Sequence, residues 1–109
     1  MAAAAGFATA GPAAAAAGDC SFAKTVCLFS GENFTGERIT LSSLSPGGTC
    51  VNLSQSGWNH HAQSVVNTHS SSAALFANED CAGGPYQVPG NSSIAQLGSF
   101  AAVSVWIAG

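Results

Sequence analysis

Phe29-Ser30-Gly31-Glu32-Asn33-Phe34-Thr35-Gly36 returns in outline as Phe76-Ala77-Asn78-Glu79-Asp80-Cys81-Ala82-Gly83, at an offset of 47 residues. Both stretches read aromatic, four residues, Phe or Cys, one residue, Gly. Ser64-Val65 and Ser104-Val105 follow, 35 and 28 residues after the two starts. The turn after the first strand of each half is expected to fold back over its own sheet. Phe29 and Phe34 then pack as an aromatic pair. Gly36 and Gly83 take positive φ, where a Cβ is costly. Ser64 and Ser104 offer hydroxyls to backbone that the folded turn leaves without ladder partners. Cys81 stands where Phe34 stands in the first half, and a disulfide there would supply the tie that ring packing gives in the first.

Around these stretches the chain alternates short β-prone runs with turn residues. The expected strands are Lys24–Phe29, Glu37–Leu41, Cys50–Leu53, Ser64–Asn67, Ala73–Phe76, Tyr86–Val88, Ile94–Leu97 and Val103–Ile107. Segments such as Ser45–Gly48, Gly83–Pro85 and Pro89–Ser93 separate them. Many short strands at even spacing indicate a β-sandwich or barrel, and two repeated halves indicate a pair of packed Greek keys. Ile39 and Leu41 should face inward, with Arg38 and Thr40 toward water. Val105 and Ile107 should share the inner face with Val103, opposite Ser104 and Trp106. Short helical turns are expected near Ser42–Leu44 and Ser93–Leu97. Trp58 reads as an inter-sheet core residue; with Trp106 it would instead form a binding patch if both rings reach the surface.

Composition narrows the function classes. The 109 residues hold 2 cationic and 5 acidic side chains, 6% charged in all, with 13 Gly and 47% hydrophobic residues. Two cations cannot neutralise a run of phosphates, so nucleic-acid binding is not expected. The same count argues against a basic membrane-surface helix. The apolar content argues against charge-driven disorder.

Residues 1–17 differ from the rest: Ala-rich, uncharged and apolar. They read as the later part of a secretory signal peptide, with Ala15 and Ala17 as the small residues before cleavage at Gly18. No Lys or Arg follows Met1, and a disordered Ala-rich leader is the other reading. A transmembrane helix would need a longer and more strongly apolar run. Residues 18–109 form the expected single domain, with key one at about 20–69 and key two at about 70–109. Cys20, Cys27, Cys50 and Cys81 all lie inside it. An even count in a small exported chain reads as two disulfides. Sequence leaves three pairings open; the favoured one is Cys20–Cys27 with Cys50–Cys81, tying the N-terminal segment to the first strand and the two halves to each other. Zinc wants closely spaced cysteine pairs, and the spacings here are 7, 23 and 31.

The repeated motif resembles that of the βγ-crystallin family, whose Greek keys carry an aromatic-x4-aromatic-x-Gly signature. More narrowly, Cys27-Leu-Phe-Ser-Gly-Glu-Asn-Phe-Thr-Gly-Glu-Arg38, Cys50-Val-Asn-Leu53, Gly57-Trp58-Asn59 and Gln63-Ser-Val65 look like one group of secreted bacterial crystallin-like proteins. That group is the peptidase inhibitor family that includes the Streptomyces metalloproteinase inhibitor. The resemblance spans about Cys20 to Ile107. It implies an all-β, βγ-crystallin-like sandwich of two Greek keys, disulfide-stapled, secreted and monomeric. The implied function is inhibition of an extracellular protease, possible targets including a metalloprotease, through a rigid loop. The alternative is a structural or stress-protective crystallin-like protein.

Three candidate sites can be named from the residues. Pro46-Gly-Gly-Thr-Cys50-Val51 is the candidate inhibitory loop, centred on Cys50 and Val51, because a disulfide-held loop binds with little ordering cost. Val51 or Leu53 would supply the apolar side chain that a thermolysin-like protease favours after the scissile bond. In the family, the loop before the fourth strand of each key often reads Asn/Asp-Asn/Asp-x-x-Ser/Thr-Ser and donates oxygen to calcium. The first loop here, Asn59 to Ser64, keeps Asn59 and Ser64 but has His60 and Gln63 at the other positions. The second, Ser99 to Ser104, keeps only its last Ser. Weak or absent calcium binding is expected, with Asn59 and Gln63 as the candidate ligands, and no other cofactor. His60, His61 and His69 are candidates for a transition-metal or pH-sensitive patch, although adjacent strand residues point apart. No G-x-S-x-G elbow occurs, and Glu79 and Asp80 are neighbours in a turn, so the chain does not read as an enzyme.

Overall fold

The computed structural model describes residues 20–109. The expected leader and its cleavage site before Gly18 lie outside the described residues. Eight strands form: β1 (Thr25–Gly31), β2 (Thr35–Ser42), β3 (Thr49–Asn52), β4 (Ser64–Asn67), β5 (Ala73–Phe76), β6 (Tyr86–Val88), β7 (Ser92–Ile94) and β8 (Ser104–Ile107). Two short 3₁₀ turns, Leu53–Ser56 and Glu79–Cys81, complete the elements.

The strands make two antiparallel four-stranded sheets, ordered β2-β1-β4-β7 and β3-β8-β5-β6. Each sheet takes three strands from one Greek key and the third strand of the other. β3 crosses to pair with β8, and β7 crosses to pair with β4. The exchange makes the two halves one folding unit, because each sheet is incomplete without the other key. Val26, Leu28, Val65, Leu75, Val88, Val105 and Ile107 fill the space between the sheets with no exposed surface. Period-2 alternation puts them on the inner faces. As expected, Ile39 and Leu41 pack on this core while Arg38 and Thr40 are exposed. Trp58 is half-buried against the same core, whereas Trp106 on the outer face of β8 is 37% exposed.

β1 is buried on both faces. Cys27 and Phe29 point away from the main core into a second cluster with Cys20, Phe34 and Val66. The Phe29 and Phe34 rings meet edge-on, with centroids 5.9 Å apart and planes at 83°. The folded turns of the two halves match atom for atom. Ser64 Oγ donates to Gly31 O at 2.7 Å and accepts from Phe34 N–H at 3.0 Å. Ser104 Oγ donates to Asn78 O at 2.5 Å and accepts from Cys81 N–H at 2.9 Å. Gly36 and Gly83 have φ of +82° and +97°. The left-handed stretch is longer than the glycines alone suggest. Asn33 and Phe34 have φ of 56° and 62°, and Asp80 and Cys81 repeat them at 60° and 54°. Asn and Asp tolerate this region, but Phe and Cys carry strain of roughly 1–2 kcal/mol each. The strained residue in each turn is the one tied down, Phe34 by ring packing and Cys81 by a disulfide.

Replacing Ser64 with Ala should strand the Gly31 carbonyl and the Phe34 N–H. A loss of about 1–3 kcal/mol is expected, and Ser104→Ala should cost a similar amount through the equivalent groups. Denaturant unfolding of the two single variants checks this. Wild-type midpoints for both would show that the hydroxyls are not what holds the turns.

Three expectations change. β7 lies at Ser92–Ile94, not Ile94–Leu97. Beyond Ile94 the backbone is diverted from the ladder: Ala95 O accepts from Asn33 N–H at 2.8 Å, and Leu97 N–H donates to Gln63 O at 2.8 Å. Leu53 leaves β3 to open a 3₁₀ turn, its N–H donating to Val103 O at 2.9 Å. The segments near Ser42–Leu44 and Ser93–Leu97 are not helical. Serine hydroxyls compete for the backbone in the first, and strand pairing takes the start of the second.

Candidate functional site

Both disulfides have the favoured pairing. Cys20–Cys27 and Cys50–Cys81 have Cα separations of 6.0 and 6.1 Å. The second joins β3 to the folded turn of the other half, next to the Ser104 hydrogen bonds.

That bond fixes the end of the candidate inhibitory segment, but the segment is only partly a loop. Cys50 and Val51 are residues of β3, registered opposite Trp106 and Val105. Both are half-buried, and Val51 packs on the core. Leu53 has no exposed surface. Leu53 is closed to a partner, and pairing with β8 holds Cys50 and Val51 in the sheet. The exposed connection comes earlier, between β2 and β3, at residues 43–48, with residues 44–47 exposed.

This connection is held by hydroxyls. Leu44 N–H donates to Thr49 Oγ1 at 3.0 Å. Ser43 Oγ lies 3.0 Å from Thr49 Oγ1 and donates to Ser45 O at 2.6 Å. Since the Ser43 proton is used on that carbonyl, Thr49 is the donor between the two hydroxyls. Ser45 N–H returns to Ser43 Oγ at 3.2 Å, and Ser45 Oγ donates to Gly48 O at 2.9 Å. Gly48 N–H closes the Ser45–Gly48 turn on Ser45 O at 3.1 Å. Gly48 has φ of +98°, and a Cβ there would collide with the Trp106 ring. Behind the turn, Gly109 lies so close to the Pro46 carbonyl that only glycine fits. Gly109 O is in turn 2.9 Å from His69 Nε2. His69 Nδ1 accepts from Ser71 N–H at 2.9 Å, so Nε2 carries the proton and donates to Gly109 O. His69 is thereby a buried structural group, while His60 and His61 are exposed in the β3–β4 connection. The His61 ring lies edge-on to Trp58, centroids 5.4 Å apart.

Both calcium candidates lie in the first loop, between β3 and β4. Asn59 is exposed and Gln63 half-buried. The Gln63 main chain is engaged on both sides, its N–H with Phe29 O at 2.8 Å and its carbonyl with Leu97 N–H. Ser64 is committed to the folded turn. In the second loop Phe100 packs on Tyr86 at 5.1 Å, and Ala102 O accepts from His60 N–H at 3.0 Å. Val103 occupies the position equivalent to Gln63, with N–H and carbonyl engaged in the same way, and has no side-chain oxygen. This second loop does not fit a hard cation that requires several oxygens. Among the described residues no group of three or more His, Cys, Asp and Glu converges to hold a metal, and no helix is long and apolar enough to cross a membrane.

Sequence reasoning missed Leu44, at 91% the most exposed large apolar side chain among the described residues. Its only signal is isolation: one leucine among Ser42, Ser43, Ser45 and Pro46 in a turn-rich run.

Comparisons with known proteins agree with this architecture. No curated protein matches the chain. Among solved structures, a βγ-crystallin from Ciona intestinalis aligns with a TM-score of 0.61 at 22% identity, covering 74% of this chain and 95% of that one. The N-terminal domain of protein S aligns at 0.59 and 24%, covering 77% and 96%. At these identities the likeness is one of fold: a βγ-crystallin-like sandwich of two Greek keys. The family model for peptidase inhibitor family I36 matches residues 13–88. That match spans more than half of the chain, from before the first disulfide through β6, and the chain therefore belongs to peptidase inhibitor family I36.

Proposed function

We propose that the protein is a secreted, monomeric inhibitor of an extracellular peptidase, acting by surface binding and not by catalysis. The observation that carries this reading is membership of the I36 family across residues 13–88. The structure supports it in kind. The domain is small and stapled twice, and its exposed β2–β3 connection is fixed by side chains, which lowers the ordering cost of binding. Two disulfides in so short a chain suit an oxidising, extracellular compartment. The fold suits a structural or stress-protective crystallin-like role equally well, so function has to be tested directly. Measurement of residual activity of metallo-, serine and cysteine peptidases with micromolar oxidised protein does this. Inhibition of at least one class is expected; full activity of all of them would leave the structural role.

Calcium is proposed not to take part. Melting temperature in millimolar calcium should equal that in chelator, because the Phe100 and Val103 positions remove oxygen ligands from one loop. A rise of several degrees with calcium would contradict this, and loss of that rise in an Asn59→Ala variant would place the ion at the first loop.

A further inference from the structure

Three large apolar side chains are exposed among the described residues: Phe22 at 48%, Leu44 at 91% and Trp106 at 37%. Two of them have work within the fold. The Arg38 guanidinium lies over the Phe22 ring, 5.5 Å from its centroid. The Trp106 ring lies against Gly48, where a Cβ would overlap it. Leu44 belongs to neither hydrophobic cluster.

We infer that Leu44 is the anchor of the inhibitory surface, entering the apolar specificity pocket of the target peptidase. The inference rests on the inhibitor reading and names the residue that would carry it. A leucine left almost wholly in water is a surplus of apolar surface that a partner can bury. The residue is also held in place before binding. Its N–H heads the relay Leu44 N–H to Thr49 Oγ1, Thr49 hydroxyl to Ser43 Oγ, and Ser43 hydroxyl to Ser45 O. The main chain bends at Leu44 and Ser45, so the side chain is offered as a single knob. Pro46 restricts Ser45, the residue before it, and β3, crosslinked through Cys50–Cys81, fixes the far side. A preorganised apolar residue binds with little further ordering cost. Residues 42–49 carry no charge. The pocket that fits them is therefore apolar and accepts a leucine; a pocket with an acidic floor, which selects Lys or Arg, does not fit.

Thr49 is the positioning residue of this arrangement. Among the described residues, its hydroxyl is the only side-chain group that binds both the Leu44 backbone and the Ser43 side chain. Loss of that hydroxyl frees the bend without removing the leucine.

The test uses the full oxidised protein against a thermolysin-type metallopeptidase and a subtilisin-type serine peptidase, both with apolar pockets, and against trypsin. Wild type is expected to inhibit one of the first two and to spare trypsin. Leu44→Ala should raise Ki by about 30-fold or more, the level of a binding hot spot, and Leu44→Asp should abolish inhibition. Thr49→Val should weaken inhibition, and Thr49→Ser should restore it by returning the hydroxyl. Melting curves of all four variants confirm that folding is retained. Wild-type Ki for Leu44→Ala would overturn the assignment of Leu44 and leave the inhibitor reading standing. Inhibition of trypsin alone would also overturn it. Failure of wild type against every peptidase would overturn both.

Discussion

Replacement of Cys50 and Cys81 together by Ser should lower stability by about 3.7 kcal/mol, from the loop-closure entropy of a 31-residue separation. For a domain of this size that corresponds to a fall in melting temperature of about 15–30 °C. The Cys20–Cys27 bond closes a separation of only 7 residues, and its removal should cost about 2.4 kcal/mol. The order of the two effects follows from topology. Cys50 belongs to the strand that key one lends to the other sheet, and Cys81 to the folded turn of key two. Their bond therefore restricts the unfolded chain most and also holds the strained Cys81 backbone in place. Thermal melts of the two double variants decide the matter. A larger fall for the Cys20/Cys27 variant would mean that the N-terminal staple, not the link between keys, limits stability.

Leu28 and Leu44 are the same residue in opposite surroundings, and their truncations should separate stability from function. Leu28 has no exposed surface and lies in the main core, on the strand that carries the first folded turn. Leu28→Ala should cost about 2–5 kcal/mol, as transfer and cavity contributions add. Leu44 is 91% exposed, and Leu44→Ala should change stability by no more than about 0.5 kcal/mol. Chemical denaturation of the two variants gives both values. A marked loss of stability from Leu44→Ala would show that the leucine packs within the fold and is not presented to a partner.

The folded turns were legible in the sequence because their chemistry is local. A glycine at a fixed offset from an aromatic states a positive φ, and Ser64 and Ser104 mark strands that start where a hydroxyl is needed. The extra left-handed residues were hidden. Asn33 and Asp80 are ordinary turn residues, and only the repeated geometry shows that Phe34 and Cys81 share their backbone region. The exchange of β3 and β7 between sheets was likewise unreadable, since the local pattern of a short strand does not name its partner. Cys50 and Val51 read both as the start of a strand and as the end of a candidate loop, because nothing local names their partners. Their register is set by Trp106 and Val105, more than fifty positions away. Leu44 failed to stand out for the opposite reason. A lone leucine between serines carries no periodicity, and its exposure follows from hydroxyl bonds reaching back from Thr49 across the turn.

The central claim is that this sandwich binds and blocks a peptidase. Titration of a fixed concentration of thermolysin-type metallopeptidase with the oxidised protein tests it most directly, with subtilisin-type and papain-type enzymes run in parallel. The account predicts that the activity of at least one enzyme falls to a plateau at one inhibitor per enzyme, with a submicromolar Ki. Undiminished activity of all three at micromolar protein would contradict it.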